Sequence, residues 1–358
     1  TKKRFGPDKR QTLHKISVIG HFGFKGEYLD GQTIKTKIVA GELRRRFGEE
    51  EVSFHDTHGG WHFLLRMPFV IFGMMCDSRH IIMLPAHKGL CMITPVIILL
   101  NIFFRHRLHY VVIGGWLPDM VAGNRFLRML LKKYDNIFVE TRSMLERMTD
   151  MGFTNVTVMP NCKKLYVTDL SEIPPYSEPP YKLCTFSRVI KEKGIEDAID
   201  AVKRCNGSLG FTAFTLDIYG QIGKEYEQRF RDIMKGQPDY IKYGGCIGFS
   251  ESTDVLKNYF ALLFPTYYAG ECFAGTIIDA FAAGLPVIAS DWHDNKNIIT
   301  NRRTGIIYPV GSTEALVKIL SEAAATPATI NAMRPACINE AEMYQPEVVI
   351  DTLEMALV

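Results

Sequence analysis

Between residues 260 and 291 the chain reads FALLFPTYYAGECFAGTIIDAFAAGLPVIASD, and few folds accommodate that order of residues. Phe260 to Phe264 is a bulky apolar run of strand length that stops at Pro265. A polar loop, Thr266 to Gly275, follows and carries one acid, Glu271. Thr276 to Ala283 is then a short helical segment closed by Gly284 and Pro286, and Val287 to Ala289 is the next strand. The first amides of such a helix have no internal partner, and the dipole places partial positive charge there. A phosphate at Ala274, Gly275 and Thr276 would therefore be stabilised without a cation. Glu271 and Asp279 cannot bind that phosphate. They must accept hydrogen bonds from neutral groups, for which sugar hydroxyls are the obvious candidates; a surface acid beside an ordinary helix start is the alternative.

The same alternation recurs along the chain. Strand-like runs fall at Lys15–Gly20, Val52–His55, His80–Leu84, His109–Ile113, Asn136–Glu140 and Asn155–Met159. A second set falls at Lys182–Phe186, Thr215–Tyr219, Tyr240–Tyr243, Ala261–Phe264, Pro286–Ala289 and Gly305–Tyr308. Helical stretches separate them, among them Gln32–Phe47 and a last helix that Pro346 and Glu347 start and that runs through Val348 to Leu357, so each set predicts a parallel sheet with helices on both faces. Between the sets, YVTDLSEIPPYSEPP has four prolines and no apolar periodicity, which reads as a linker. The expected organisation is an N-terminal domain over 1–165, a linker over 166–180, a second domain over 181–336 and C-terminal helices over 337–358 that pack back toward the first domain. Two doubly wound sheets in series place a cleft between them, with the C-terminal strand edges facing it.

At 358 residues the chain exceeds the size at which single cores stop growing, in keeping with two domains. Its eight cysteines form no CxxC pair, which suits a reducing cytoplasm, and the basic start TKKRFGPDKRQTLHK has no apolar segment of a secretion signal. Residues 1–165 hold 25 Lys and Arg against 14 Asp and Glu, whereas residues 166–358 hold 17 against 25. The basic half should meet something anionic. No nucleic-acid motif is present, so nucleic acid is not expected as a partner. An anionic membrane surface fits better, because Phe63 to Met75 and Leu90 to Phe104 are unusually apolar while both fall short of the ~18–20 residues that span a bilayer. A buried core helix and a face resting in lipid are both open readings. The basic fringe for the second would come from Arg44, Arg45, Arg46, Arg105, Arg107, Arg125, Arg128, Lys132 and Lys133.

In the second half, Arg188 ends a strand and Lys193 opens the following helix, on the same rim as the loop that holds Glu271. A planar guanidinium beside a point charge is a usual pair for a diphosphate, and a solvated basic turn is the alternative. FSRVIKEKGIEDAIDAV, LDIYGQI, YGGCIGFSESTDVLKNY and FPTYYAGECFAGTIIDAFAAGLPVIASDW, in that order, resemble the C-terminal domain of retaining GT-B glycosyltransferases of family four. FVETRSMLERMTDMGFTNVTVMPN and the glycine loop ending at Gly31 and Gln32 resemble its N-terminal half through more generic motifs.

The resemblance implies the GT-B fold, two Rossmann-like domains facing each other across a cleft, and a nucleotide-sugar donor. By it, Arg188 and Lys193 hold the donor diphosphate with the amides near Gly275 and Thr276. Glu271 contacts donor-sugar hydroxyls, Asp279 the ribose, Ile247 the base, and Gly31 and Gln32 line the donor from the first loop. The chain departs from the family in having Asp279 where a Glu is usual. It also has Gly114-Gly115-Trp116 where many relatives carry a His after the fourth strand; Gly115 and Trp116 are the candidate acceptor or sugar contacts, Trp116 by stacking. The implied reaction is a retaining, metal-independent hexosyl transfer to a saccharide, lipid-linked acceptor, as in capsule or other surface-polysaccharide assembly, with no cofactor. In keeping with this, no Asp-x-Asp motif occurs, and the histidines 55, 58, 62, 106 and 109 lack a Cys or carboxylate that would complete a metal site. A nucleotide-binding partner protein without transfer activity is the alternative, motivated by Asp279.

Overall fold

The structure is a computed structural model in which residues 15–24, 31–58, 60–173, 175–248 and 251–358 are described. The basic N-terminal stretch and Gly26 of the first glycine loop lie outside the described residues. The chain divides into two compact units, Thr1–Met159 with Ile350–Val358, and Pro160–Val349.

The first unit is a parallel sheet of β1 (Ile16–Gly20), β2 (Val52–Asp56), β3 (His80–Met83), β4 (Arg107–Val111), β5 (Asn136–Val139) and β6 (Val156–Val158), in the order β2-β1-β3-β4-β5-β6. β1 and β3 are buried along their whole length, as expected for strands covered on both faces. The connecting helices are α1 (Gly31–Phe47), α2 (Gly60–Asp77), α3 (His87–Phe104), α4 (Leu117–Gly123), α5 (Arg125–Leu131) and α6 (Arg142–Asp150). The step from β1 to β2 runs opposite to every later step, so right-handed crossovers put α1 on one face and the other helices on the opposite face. There α2 packs against α3, and α3 against α5. Under the first turns of α1, Lys35 is buried, donating to Glu140 at 2.6 Å and to the carbonyl of Val112 at 3.3 Å.

The second unit repeats the plan with β7 (Tyr181–Phe186), β8 (Phe214–Tyr219), β9 (Ile241–Gly245), β10 (Ala261–Phe264), β11 (Val287–Ser290) and β12 (Gly305–Tyr308), in the order β12-β11-β10-β7-β8-β9. Its helices include α7 (Ile195–Leu209), α8 (Glu227–Met234), α9 (Ser252–Leu256) and α10 (Gly275–Ala282). The start of the proline-rich stretch and the residue before it dress this unit: Leu165 is buried in one cluster with Phe273 and Ile277, and Thr168 donates to the carbonyl of Ala282 at 2.8 Å.

All twelve expected strands are present, with β4 beginning two residues earlier than expected. Arg105 in a left-handed conformation ends α3, and the Asn101 side chain pins both the amide and the carbonyl of His106, so the strand begins directly at Arg107. The two apolar helices are longer than expected, at 18 residues each. α3 is therefore long and apolar enough to cross a membrane by length and composition. It nevertheless buries Leu90, Ile93, Thr94, Ile97 and Ile98 in the unit. The expected last helix is broken into Pro346–Val349 and Asp351–Glu354, and the boundary between the two units falls between Val349 and Ile350.

Candidate active site

Glycine geometry builds the site in the second unit. After β7, Ser187 and Arg188 lead into a short turn, Lys191–Lys193, and Gly194 starts α7 with φ of 70°. A Cβ on Gly194 would sit 2.2 Å from the carbonyl oxygen of Pro265, so only glycine lets this turn press against the loop that leaves β10. The amide of Tyr267 completes the contact by donating to the carbonyl of Glu192 at 2.8 Å. Lys193 is thereby brought onto Glu271, and the two form a buried ion pair with side chains 8% and 10% exposed. Thr266 donates its hydroxyl to the same carboxylate oxygen at 3.1 Å.

Arg188 is exposed at the same rim. Its guanidinium carbon lies 5.2 Å from the centre of the Tyr268 ring, and the Lys193 ammonium lies 5.3 Å from that centre. Tyr268 thus gathers both cations through its π-face, while its own carbonyl is fixed by the Trp292 indole at 2.8 Å. α10 starts beside them. Its N-cap, Ala274, offers no capping side chain, and a Cβ on Gly275 would meet open space. The Thr276 hydroxyl is turned inward onto the carbonyl of Phe186 at 2.8 Å, which ties the first turn of the helix to the end of β7. Two cations, one acid and an uncapped helix start therefore converge, and this arrangement can hold a diphosphate beside a neutral polyol.

Asp279 lies inside α10 and is paired with a cation. It is 4% exposed, and both carboxylate oxygens accept from Lys163, at 2.6 and 2.7 Å. Burial pushes its pKa up, although Lys163 beside it and a hydrogen bond from Ser252 pull the other way. Ile247, just past β9, lines a cavity of about 510 Å³ with Tyr219, Tyr259, Asp217 and Glu251. The ring of Tyr219 lies directly on Gly244, where any Cβ would come within 2.2 Å of it.

In the first unit Gly31 is the first residue of α1 and Gln32 the second, at the C-terminal edge of the sheet. Asp56, the last residue of β2, accepts from the amides of Phe22, Phe24 and His58 at 3.0, 3.2 and 2.9 Å. Burial opposes ionisation of Asp56, but these amides outweigh it and hold the carboxyl below its usual range. Gly114 (φ 88°) and Gly115 turn the chain after β4 so that the Trp116 indole donates to the carbonyl of Ile113 at 2.7 Å. Trp116 also stacks on His87, with ring centres 4.0 Å apart. One face of Trp116 is therefore covered by an imidazole. The sequence offered no signal for His87, Lys163 or Tyr268, whose neighbours are 29, 116 and 80 positions away (Trp116, Asp279 and Arg188). Among the described residues no group of three or more His, Cys, Asp or Glu converges as a metal site would.

Two parallel six-stranded sheets with flanking helices, each presenting loops at its C-terminal strand edge, define the GT-B fold. The HepE protein of Anabaena, solved in complex with UDP, superposes with a TM-score of 0.74, covering 96% of this chain and 99% of its own at 14% identity. The lipopolysaccharide outer core galactosyltransferase WaaB gives 0.69 with the same coverage and identity. Likeness at 14% identity establishes the fold. Residues 180–325, the span that holds the ion pair, Arg188 and α10, match the family described as glycosyl transferases group 1. The GtfA subunit of a UDP-N-acetylglucosamine–peptide N-acetylglucosaminyltransferase from Streptococcus gordonii is 27% identical over 209 residues, which is 57% of this chain and 40% of that protein. The chain thus spans less than half the length of that relative.

Proposed function

We propose that the chain is a retaining, metal-independent glycosyltransferase. It moves a hexose-type sugar from a UDP-sugar to a saccharide acceptor carried on a lipid, on the cytoplasmic side of surface-polysaccharide assembly. The observation that carries this reading is the convergence of Arg188, the Lys193–Glu271 pair and the uncapped start of α10 on one strand edge. Arg188, Lys193 and the helix amides take the charge that develops on the leaving diphosphate, while Glu271 accepts from the donor sugar's hydroxyls. A donor phosphate oxygen takes the acceptor hydroxyl proton as the new glycosidic bond forms on the face the diphosphate leaves. HepE and WaaB support the two-domain frame, and the UDP in the HepE complex favours UDP over GDP.

Isothermal calorimetry tests the donor site. Wild type should bind UDP, and Arg188→Ala/Lys193→Ala should weaken that binding by about 100-fold or more. Equal binding of UDP by wild type and the double variant would show the site to be misplaced. The second reading, a nucleotide-binding partner without transfer activity, is favoured by the engagement of Asp279 with Lys163. It requires nucleotide binding with no turnover on crude lipid-linked acceptors.

A further inference from the structure

One face of the first unit is apolar where a water-exposed helical layer should be polar. α2, α3 and α5 lie side by side on the sheet, and each already buries an inward stripe, such as Ile71 and Met74, Ile93 and Ile97, or Leu127 and Leu131. Their outward sides are apolar as well. On α2, Leu65, Phe69 and Phe72 recur at helical spacing; on α3, Leu99, Ile102 and Phe103 do the same; α5 adds Phe126 and Met129. Phe69 is 80% exposed and Phe103 79%. The rings of Phe72 and Phe104, 5.8 Å apart at their centres, join the stripes of α2 and α3. From Gly89 to Phe104 no residue is charged. Isolated exposed hydrophobics are ordinary, but eight on three adjoining helices form a patch of the kind that marks a docking surface.

The charges around this patch identify what it meets. Arg66, Arg105, Arg125 and Lys133 are exposed at its margin, and none is in an ion pair among the described residues. Other cations of the basic half are engaged elsewhere: Arg46 with Asp351, Arg107 with Asp135, and Lys132 with the carbonyl of Met151. The three helices hold one acid between them, Asp77 at the end of α2. An apolar centre inside an unneutralised basic rim complements lipid chains inside anionic headgroups. We propose that the outer face of α2, α3 and α5 docks on an anionic phospholipid bilayer. α3 lies in the headgroup boundary rather than crossing, because its inner stripe is part of the core of the unit.

Flotation of the full chain with phosphatidylcholine vesicles, with and without phosphatidylglycerol, tests the proposal. Wild type should bind the anionic vesicles, lose most of that binding in about 0.5 M NaCl, and bind neutral vesicles weakly. Phe69→Asp/Phe103→Asp should reduce binding at least about tenfold, as should Arg105→Glu/Lys133→Glu. All four positions are exposed, so the thermal midpoints should stay at the wild-type value. Binding that either double variant leaves intact overturns the proposal, as does failure of wild type to bind anionic vesicles. Self-association abolished by Phe69→Asp/Phe103→Asp, without vesicle binding, overturns it in favour of an interface between copies.

Discussion

Lys193 and Glu271 join a buried structural contact to the proposed chemistry of the site. Each is a buried charge neutralised by the other, so removing one partner leaves the second uncompensated, at a cost of roughly 3–5 kcal/mol. Glu271→Gln and Lys193→Met should each lower the urea midpoint accordingly, while the double variant recovers much of the loss without recovering transfer. That split would separate the pair's structural role from its proposed role on the donor. Arg188 offers the opposite case. Being exposed, Arg188→Ala should cost less than about 0.5 kcal/mol in unfolding experiments, yet reduce sugar transfer by about 100-fold. Residue chemistry made Arg188, Lys193 and Glu271 legible in the sequence, since Arg188 follows a strand, Lys193 opens the next helix and Glu271 lies in the loop between β10 and α10. Asp279 was legible as an acid on a helix, but its partner was not: Lys163 lies 116 positions away and no local pattern points from one to the other.

At the scale of elements, the turn that opens α7 and the loop after β10 act as one piece, because Gly194 allows their backbones to touch. Gly194→Ala should force that contact apart and strain a left-handed position. The expected loss is about 2 kcal/mol or more by chemical denaturation, together with weaker nucleotide binding as Lys193 moves off Glu271. Thr276→Val is a milder probe of the same frame. It removes the bond from α10 to the carbonyl of Phe186 and should cost about 1 kcal/mol, read as a shift in melting temperature. The strands were readable because parallel strands buried on both faces are continuous apolar runs. Helix ends were less so. α2 and α3 each start three residues ahead of the apolar runs that marked them, at Gly60 and His87, where Gly60, His62, His87, Lys88 and Gly89 interrupt the apolar pattern.

The whole molecule has a built-in sensitivity to acid that also arises from packing. His80 and His109 stack in the interior of the first unit with ring nitrogens 3.2 Å apart. Burial, and then the neighbouring imidazole, push the His109 pKa down from 6.5 to about 4. Between those values the unfolded chain binds a proton that the folded chain refuses, so stability falls as pH drops from 6.5 toward 4, by about 3 kcal/mol in all. Urea midpoints at pH 7, 5.5 and 4.5 should show this slope in wild type and a flatter one in His109→Gln. By itself the sequence determined the two sets of βα units, the parallel sheets they must form and the strand edge on which Arg188, Lys193 and Glu271 fall. Periodicity, punctuation by Gly and Pro, and chain order are local properties that survive without a partner segment. Only tertiary structure decided which charges are neutralised and which remain: Lys193 by Glu271, Asp279 by Lys163, Arg46 by Asp351, and no partner among the described residues for Arg105 or Lys133. Pairing depends on distances between residues remote in the chain, and the same pairing left an apolar face ringed by unspent positive charge.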